Sequence, residues 1–462
     1  MKWIHSLFSL FLLVIVFLST MRLSAQNYDF SAVDKLLQDS LSVLAGEGLQ
    51  SGGGCALILM QNGKTIYKKS FALPNRTYAT DRVVLIASAT KWYSAAVIMS
   101  LIDEGKLSLN DTTGKFLPNY AALKDGKARM TIRQLFSHTS GLSGLDDASC
   151  LGDNAITLAN CVEQISTVTL KATPGAQFSY GGNSMQVAGR IAELASGLQF
   201  ASGSAWDTLF VQRITRPLGM NSTRYDGVLT VDSKNPQIGG SARSTGDDYA
   251  KFLAMLMNKG LAPDGKRILS EQAINDMLAD QTRGAQIVYS PFAQYGFLTP
   301  ELSKTRYGIG NWCEVVDATT GKTVESNSIG KFGFSPWIDR SRNLVGVLSI
   351  FSDNSKTFPT YWKLKQLLRQ IIPVIATDVH SDAESENAIR TSPNPASDIL
   401  RIEGAEGVSG LKLLNVLGQI VLTKSEVQLP ATVDVSSLPS GLYILHIQKN
   451  HHYFYQTLLV QR

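Results

Sequence analysis

A serine followed three residues later by a lysine is the pair in this chain best suited to nucleophilic chemistry. Ser88 and Lys91 have this spacing, and the mostly apolar segment 92–104 that follows predicts a helix buried on every face, ending at Gly105. Side chains at i and i+3 share a helix face, and loss of hydration favours the neutral, proton-accepting form of a buried amine. The pair therefore predicts a serine nucleophile with a lysine base, at a helix N-terminus that favours a developing alkoxide.

The same spacing occurs at two other places, Ser328/Lys331 and Ser409/Lys412, which is about what chance gives in a chain of 462 residues. Segment 328–337 is punctuated by glycines and predicts a strand, and residues around Ser409 predict a small β segment. Only Ser88 opens a long buried helix, so context favours the first pair as the catalytic one.

The N-terminus has the features of a secretory signal. Lys2 begins a short positive region, residues 7–18 are an apolar run, and Leu-Ser-Ala at 23–25 resembles a signal-peptidase site. We expect a signal peptide over 1–25, since the run is short for a membrane span; the alternative is an uncleaved anchor. No later apolar run approaches 18 residues, so no other transmembrane segment is expected.

Composition is that of a globular protein, with 44% hydrophobic and 18% charged residues. Removal of the signal, with Lys2 and Arg22, lowers the formal net charge from +5 by two. A balance so close to neutral argues against a nucleic-acid partner. The length predicts two to four domains.

The chain has four cysteines, which allow three complete pairings. Cys150 and Cys161 flank a short polar segment and are the expected disulfide in an exported protein. Cys55 and Cys313 lie in predicted strands and are expected to be buried thiols. None of the cysteines has metal-site spacing and no histidine cluster lies nearby, so no metal and no cofactor is expected.

The order of elements predicts the fold class. Residues 55–67 read as a hairpin with an Asn-Gly turn, helices fill the middle, strands return at 307–316, 328–337 and 344–351, and a helix spans 361–372. This order predicts an α+β domain over 26–375, with a mainly antiparallel sheet flanked by helices and a helical lobe. A polar linker over 376–391 and a small all-β sandwich over 392–462 are expected to follow.

Four further segments appear in order around the Ser88 pair: 131–142 with His-Thr-Ser-Gly-Leu, 178–183, 238–245 and 330–337. Together with Ser88 and Lys91 they resemble the serine β-lactamase-related family, which includes class C β-lactamases, low-molecular-weight penicillin-binding proteins, D-aminopeptidases and esterases. The resemblance covers roughly residues 30–375. His138, the only histidine between 26 and 375, is expected to be structural.

The resemblance implies roles for particular residues. The implied catalytic set is Ser88 as nucleophile, Lys91 and Tyr180 as the groups that move its proton, and Lys331 as the third-motif lysine on the strand lining the cleft. The implied oxyanion hole is formed by the backbone N–H groups of Ser88 and Phe334. The residues implied in substrate binding are Gly182, Asn183, Phe332 and Gly333.

Two departures from the family pattern bear on the substrate. Gly182 stands where the family usually has asparagine, with Asn183 adjacent, and Phe332 replaces the small hydroxyl residue of Lys-Thr-Gly. Both favour an ester, D-amino-acid peptide or amide over a β-lactam. The expected function is an exported serine hydrolase that works through an acyl-enzyme on Ser88. The alternative is a non-catalytic surface binding protein that keeps the fold.

The C-terminal module has its own resemblance. Segments 392–398, 433–438 and 441–443 resemble the type A sorting domain of the bacterial type IX secretion system. The resemblance implies recognition by that secretion machinery and a secreted or cell-surface location. The alternative is a carbohydrate-binding or adhesion sandwich.

Overall fold

A computed structural model divides the chain into two compact units, with the boundary after Val374. The described residues are 28–46, 52–144, 150–198, 205–225, 234–293, 305–317, 319–375, 390–403, 408–415, 420–425, 427–449 and 452–461. The predicted signal peptide 1–25 and nearly all of the predicted linker 376–391 lie outside these residues.

Strands form both units. They are β1 Gly54–Gln61, β2 Lys64–Ala72, β3 Val84–Leu85, β4 Gln177–Ser179, β5 Arg224–Tyr225, β6 Ala242–Ser244, β7 Gln286–Tyr289, β8 Trp312–Val316, β9 Thr323–Asn327, β10 Ser335–Asp339, β11 Leu344–Ser349, β12 Arg390–Ser392, β13 Ile399–Glu403, β14 Val408–Asn415, β15 Ile420–Ser425, β16 Ala431–Asp434, β17 Gly441–Lys449 and β18 His452–Val460.

The described helices belong to the first unit. They are α1 Ser31–Asp39, α2 Leu41–Leu44, α3 Thr90–Asp103, α4 Thr113–Phe116, α5 Pro118–Ala121, α6 Ile132–Phe136, α7 Leu158–Ser166, α8 Asn183–Ser196, α9 Trp206–Phe210, α10 Arg216–Leu218, α11 Gly246–Met257, α12 Glu271–Leu278 and α13 Asn354–Ile371. Short 3₁₀ segments cover Ala87–Ala89 and Lys127–Arg129, and a π turn covers Val211–Thr215. None of these helices is both long and apolar enough to cross a bilayer.

The first unit is built on a six-stranded sheet in the order β2-β1-β11-β10-β9-β8. Every neighbouring pair is antiparallel. Alternation along β1 sends side chains to opposite faces, with Leu57 and Leu59 in one hydrophobic cluster and Ile58 in the other. Helices α1 and α13 cover the first face, and α11 and the buried helix α3 belong to the second. The predicted α+β class with an antiparallel sheet is confirmed.

Local sequence features determine where several helices and strands begin or end. The β1–β2 hairpin turns at Asn62 and Gly63, both with positive φ, as a two-residue Asn-Gly loop requires. Helix α8 ends at Gly197, which has a left-handed backbone at φ 71°. The Thr245 side chain accepts a hydrogen bond from the Asp248 N–H and starts α11.

Three predicted elements were wrong in extent. The strand expected over 328–337 is a strand only from Ser335, because residues 330–333 form a tight turn in which the Gly333 N–H donates to the Gly330 carbonyl. The strand expected over 307–316 starts at Trp312. The final helix starts at Asn354 instead of Tyr361, because Asp353 caps it through the Ser355 N–H and Pro359 is accommodated inside it.

The helical part of the first unit contains the disulfide. Cys150 and Cys161 are joined, with Cys161 on α7. Cys55 and Cys313 are free and buried, and desolvation raises the pKa of each thiol to about 12.

The second unit is all β among its described residues. A three-stranded sheet in the order β12-β13-β16 and a four-stranded sheet in the order β15-β14-β17-β18 share one hydrophobic cluster. Ser409 and Lys412 both lie on β14, in extended backbone.

Candidate active site

The nucleophile lies in a strained turn that leads into α3. Ser88 is the middle residue of the 3₁₀ segment and is half-buried, and Ala87 before it has φ 46°. A left-handed backbone at a non-glycine residue costs about 1–2 kcal/mol and persists only where the surrounding structure enforces it. Strain at this position turns the chain sharply from β3 into the helix and leaves the Ser88 side chain on the surface of a cleft.

Side chains from three distant segments hold this turn. The Thr90 hydroxyl accepts a hydrogen bond from the Ala242 N–H at 3.1 Å. Tyr249 donates its hydroxyl to the Ala89 carbonyl at 2.7 Å. Ser328 donates its hydroxyl to the Ser88 carbonyl at 3.2 Å. These bonds tie residues 88–90 to three distant segments and fix the backbone beneath the nucleophile.

Lys91 is almost completely buried, with 4% of the residue exposed. Its Nζ donates to the Ser88 Oγ at 3.1 Å and to the Gly239 carbonyl at 2.7 Å. The Gly239 carbonyl therefore holds the amine within hydrogen-bond distance of the hydroxyl. This is the geometry that proton transfer from a serine requires.

Gly239 provides space as well as a carbonyl. A Cβ added at this residue would lie 3.1 Å from Lys91 Nζ and 3.4 Å from the Met185 sulfur. The carbonyl can approach the amine only because no side chain is present. Gly239 belongs to the 238–245 segment that the sequence had marked, although its contact with Lys91 was not anticipated.

Tyr180 follows β4 and lies beside the amine. Lys91 Nζ is 4.8 Å from the centre of the Tyr180 ring, and the Trp312 indole stacks on the same ring at 5.0 Å with 27° between the planes. The phenol is only partly buried and contributes to the cleft wall. Lys91 and Tyr180 come from distant parts of the chain and lie side by side in the cleft that Ser88 also lines. Trp312 was missed by sequence reasoning, because a single tryptophan carries no motif.

His138 packs behind Tyr180. Its ring centre is 4.5 Å from that of Tyr180 and 4.9 Å from that of Tyr307. Burial, followed by the nearby Lys91 charge, holds the pKa of His138 well below its ordinary range. The imidazole is therefore neutral. A structural role for His138 was expected from the sequence. Its contacts reach beyond its own turn, to Tyr180 and Gly181.

Lys331 lies in the tight turn before β10 and is exposed, on the cleft wall. The expectation that it lies on a strand is wrong, because β10 begins four residues later. Phe332 also lines the cleft, with its ring stacked on that of Phe351 at 4.7 Å. Phe334 is fully buried, with its ring 5.4 Å from that of Tyr249. Its backbone N–H as an oxyanion donor stays a prediction.

Gly182, which stands where the family usually has asparagine, lines the cleft, whereas its neighbour Asn183 does not. Gly182 lines the cavity, whereas Asn183 is fully buried in the first turn of α8 and is not part of the cavity wall. Gly333, with φ 80°, packs under Ile350 and Thr357, away from the wall. Among the four residues expected to bind substrate, Gly182 and Phe332 face the cavity.

The cleft is open to solvent and has a cavity volume of about 790 Å³. Among the described residues, the charged side chains that line it are Lys91, Lys331 and Asp353. Aromatic residues form much of the remaining wall: Tyr180, Tyr289, Phe292, Trp312 and Phe332. Such a wall suits a substrate with apolar groups on either side of a reacting carbonyl. Within the described residues, no cluster of three His, Cys, Asp or Glu side chains could hold a metal ion.

Two family models match the chain. A model described as Beta-lactamase matches residues 45–367. A model described as a secretion system C-terminal sorting domain matches residues 392–461. The second match indicates that the protein is exported to the cell surface or the medium.

Curated relatives match part of the chain. Penicillin-binding protein 4 of Amycolatopsis lactamdurans is 29% identical over 216 residues, which are 41% of this chain and 55% of that protein. The D-alanyl-D-alanine-carboxypeptidase/endopeptidase AmpH of Escherichia coli K12 is 31% identical over 180 residues, 37% of this chain and 45% of that protein. The matched segments thus span about half the length of these relatives.

Solved structures include a similar fold. A protein assigned as a beta-lactamase from Bacteroides dorei DSM 17855 has a TM-score of 0.61 and 29% sequence identity, over 73% of this chain and 99% of that one. The likeness therefore extends over nearly the whole of that protein.

Proposed function

The chain belongs to the beta-lactamase family, and from this premise we propose that it is an exported serine hydrolase that acts through an acyl-enzyme on Ser88. The proposal depends on one observation above all others. The Ser88 hydroxyl lies 3.1 Å from a buried lysine amine at the head of a core helix, in an open cleft. A hydroxyl becomes an effective nucleophile when an adjacent base takes its proton.

The proposed reaction has two steps. Ser88 Oγ attacks the substrate carbonyl and gives its proton to the Lys91–Tyr180 pair, which passes a proton to the departing alcohol or amine. The acyl group stays on Ser88 as an ester. Water then attacks this ester with the same groups as base, which releases the acid and restores the serine. Lys331, which is exposed on the cleft wall, would contribute positive charge near the substrate.

The proposed substrates are esters, D-amino-acid peptides or amides, in preference to β-lactams. Phe332 stacks on Phe351 and puts an aromatic ring in the wall where the family has a small hydroxyl residue. Gly182 provides no amide side chain, and the adjacent Asn183 is buried. The wall therefore has fewer hydrogen-bond donors for a β-lactam carboxylate. The carboxypeptidase/endopeptidase name of one relative also supports a peptide substrate.

The test compares the wild type with Ser88→Ala. We expect turnover of at least one member of a panel of p-nitrophenyl esters, D-Ala-containing peptides and nitrocefin. We also expect covalent labelling of Ser88 by a fluorophosphonate probe, and loss of both in Ser88→Ala. Equal labelling of the two proteins would refute the assignment of the nucleophile.

The alternative is a non-catalytic surface protein that keeps the fold for binding. The two departures at Gly182 and Phe332 are the observations in its favour. A folded wild-type protein that turns over no member of the panel, with Ser88 unlabelled, would support binding instead of catalysis.

A further inference from the structure

We propose that His138 is a positioning residue that holds Tyr180 in place for proton transfer with Lys91 and Ser88. The inference depends on the proposed function, because it assigns a role within that reaction. The sequence predicted only a structural role for His138 in its turn. The inference adds an effect of His138 on catalysis, exerted through Tyr180.

The backbone around Tyr180 is bonded to His138 on both sides. The His138 carbonyl accepts the N–H of Ser179 at 2.9 Å. The His138 Nδ1 accepts the N–H of Gly181 at 3.4 Å. His138 thus holds the N–H groups of the two residues on either side of Tyr180, Ser179 and Gly181. A shift of about 1 Å in a catalytic group can cost a factor of about 10² in rate.

The imidazole also contacts the phenol ring. The two ring centres are 4.5 Å apart, and the planes are tilted by 49°. Trp312 stacks on the same phenol, and Tyr307 packs against both rings, 4.9 Å from His138 and 5.9 Å from Tyr180. His138 and Trp312 therefore limit rotation and translation of the Tyr180 ring.

Only the neutral imidazole can do this. Nδ1 accepts a hydrogen bond, so its proton is on Nε2. Among the described residues, the titratable groups around the ring are Lys91, Tyr180 and Tyr307. Burial of the ring and, after it, the nearby Lys91 charge lower the pKa of His138 and disfavour an imidazolium. Within the described residues Nε2 has no hydrogen-bond partner. The contacts of the imidazole are therefore the hydrogen bond that Nδ1 accepts and the packing of its ring.

The backbone of His138 allows an informative set of variants. Its φ is 57°, in the left-handed region, which asparagine tolerates better than most residues. His138→Asn keeps that backbone and offers Oδ1 as an acceptor for the Gly181 N–H. His138→Phe keeps an aromatic ring and removes the acceptor. His138→Ala removes both.

The experiment measures kcat, KM and the pH profile of the His138 variants with an ester that the wild type hydrolyses. Active sites are counted by fluorophosphonate titration of Ser88, so a loss of folded protein does not lower kcat. We expect His138→Ala to lower kcat about 30-fold with less than a threefold change in KM. We expect His138→Asn to recover most of the loss, and His138→Phe to recover less.

The pH profile and a double-mutant cycle test whether the effect passes through Tyr180. We expect the acid limb of the His138→Ala profile to move to higher pH, because a phenol further from the Lys91 ammonium gives up its proton less readily. In a Tyr180→Phe background, His138→Ala should lower kcat by less than about threefold.

A 30-fold loss in both backgrounds, or an unchanged pH profile, would overturn the inference and leave His138 as a residue of the fold alone. So would His138→Ala with wild-type kcat. These outcomes need an active, Ser88-labelled wild type, whereas failure of the proposed function is seen in the wild type itself. The two failures are therefore distinguishable.

Discussion

Two serine–lysine pairs of identical spacing meet at one site, and they behave differently. Ser88 and Lys91 span the 3₁₀ turn and the start of α3, and their side chains are 3.1 Å apart. Ser328 and Lys331 lie in irregular backbone before β10, where Ser328 donates to the Ser88 and Gly310 carbonyls. Lys331 is exposed on the cleft wall.

The difference shows what the spacing means physically. On a helix, residues three apart share a face, so the amine returns to the hydroxyl. In the turn of residues 330–333 the chain reverses direction, and the same spacing separates the two side chains. The first pair therefore forms a reacting unit. The second pair acts as two separate residues. Ser328 hydrogen-bonds the backbone of Ser88, and Lys331 is a cation on the cleft wall.

The largest expected effect separates the two lysines. Lys91→Met should lower kcat about 10³-fold, because it removes the member of the Lys91–Tyr180 pair that is hydrogen-bonded to Ser88. Lys331→Met should lower kcat/KM about tenfold, because its charge acts on the substrate from the rim. Steady-state kinetics with one ester measures both. Losses of equal size would mean that the two pairs are equivalent in function, contrary to the geometry.

The next effect concerns the space around the Lys91 amine. Gly239→Ala should lower kcat about 30-fold, because its Cβ would lie 3.1 Å from Nζ and displace the amine from Ser88. Gly240→Ala is the matched control, since its Cβ would meet only the end of the Gln237 side chain at 3.3 Å. Similar rates for the two variants would show that the position of the amine is not limiting.

A smaller effect tests the support given by the second serine. Ser328→Ala leaves the Ser88 and Gly310 carbonyls without this donor and should lower the free energy of unfolding by about 1–2 kcal/mol. Chemical denaturation measures it. Ser326→Ala is the control, because the Ser326 hydroxyl is buried and has no hydrogen-bond partner among the described residues. Its loss should be neutral or stabilising. Equal losses of stability in Ser328→Ala and Ser326→Ala would mean that the hydrogen bond from Ser328 to the Ser88 backbone does not stabilise the fold.

The sequence was sufficient for those parts of the site that depend on local geometry. Ser88 and Lys91 could be paired from helical periodicity alone, and the family resemblance added Tyr180. The contacts of Trp312, His138 and Gly239 could not be derived, because they join segments more than 40 residues apart through packing. The sequence analysis placed Lys331 on a strand. Gly330 and Gly333 flank it, but glycines alone do not predict that residues 330–333 form a tight turn.

The fold divides in the same way. The β1–β2 hairpin and the end of α8 were predictable, because Asn62, Gly63 and Gly197 adopt positive φ for local reasons. The start of α13 was missed by seven residues, since Pro359 reads as a helix breaker. Capping by Asp353 and burial of Phe358 keep the helix intact on both sides of that proline.

The smallest expected effect compares the backbones of the two pairs. Ala87, next to the reacting serine, has φ 46°, whereas the turn that contains Lys331 has its positive φ at Gly333, where it costs little. Ala87→Gly should therefore relieve strain and raise the free energy of unfolding by up to about 1 kcal/mol, partly offset by the greater freedom of glycine in the unfolded chain. The same variant should lower kcat about threefold, because a less constrained turn holds Ser88 less firmly against Lys91. Denaturation and kinetics on one preparation measure both. A less stable Ala87→Gly protein with full activity would mean that the left-handed backbone at the nucleophile is neither strained nor used.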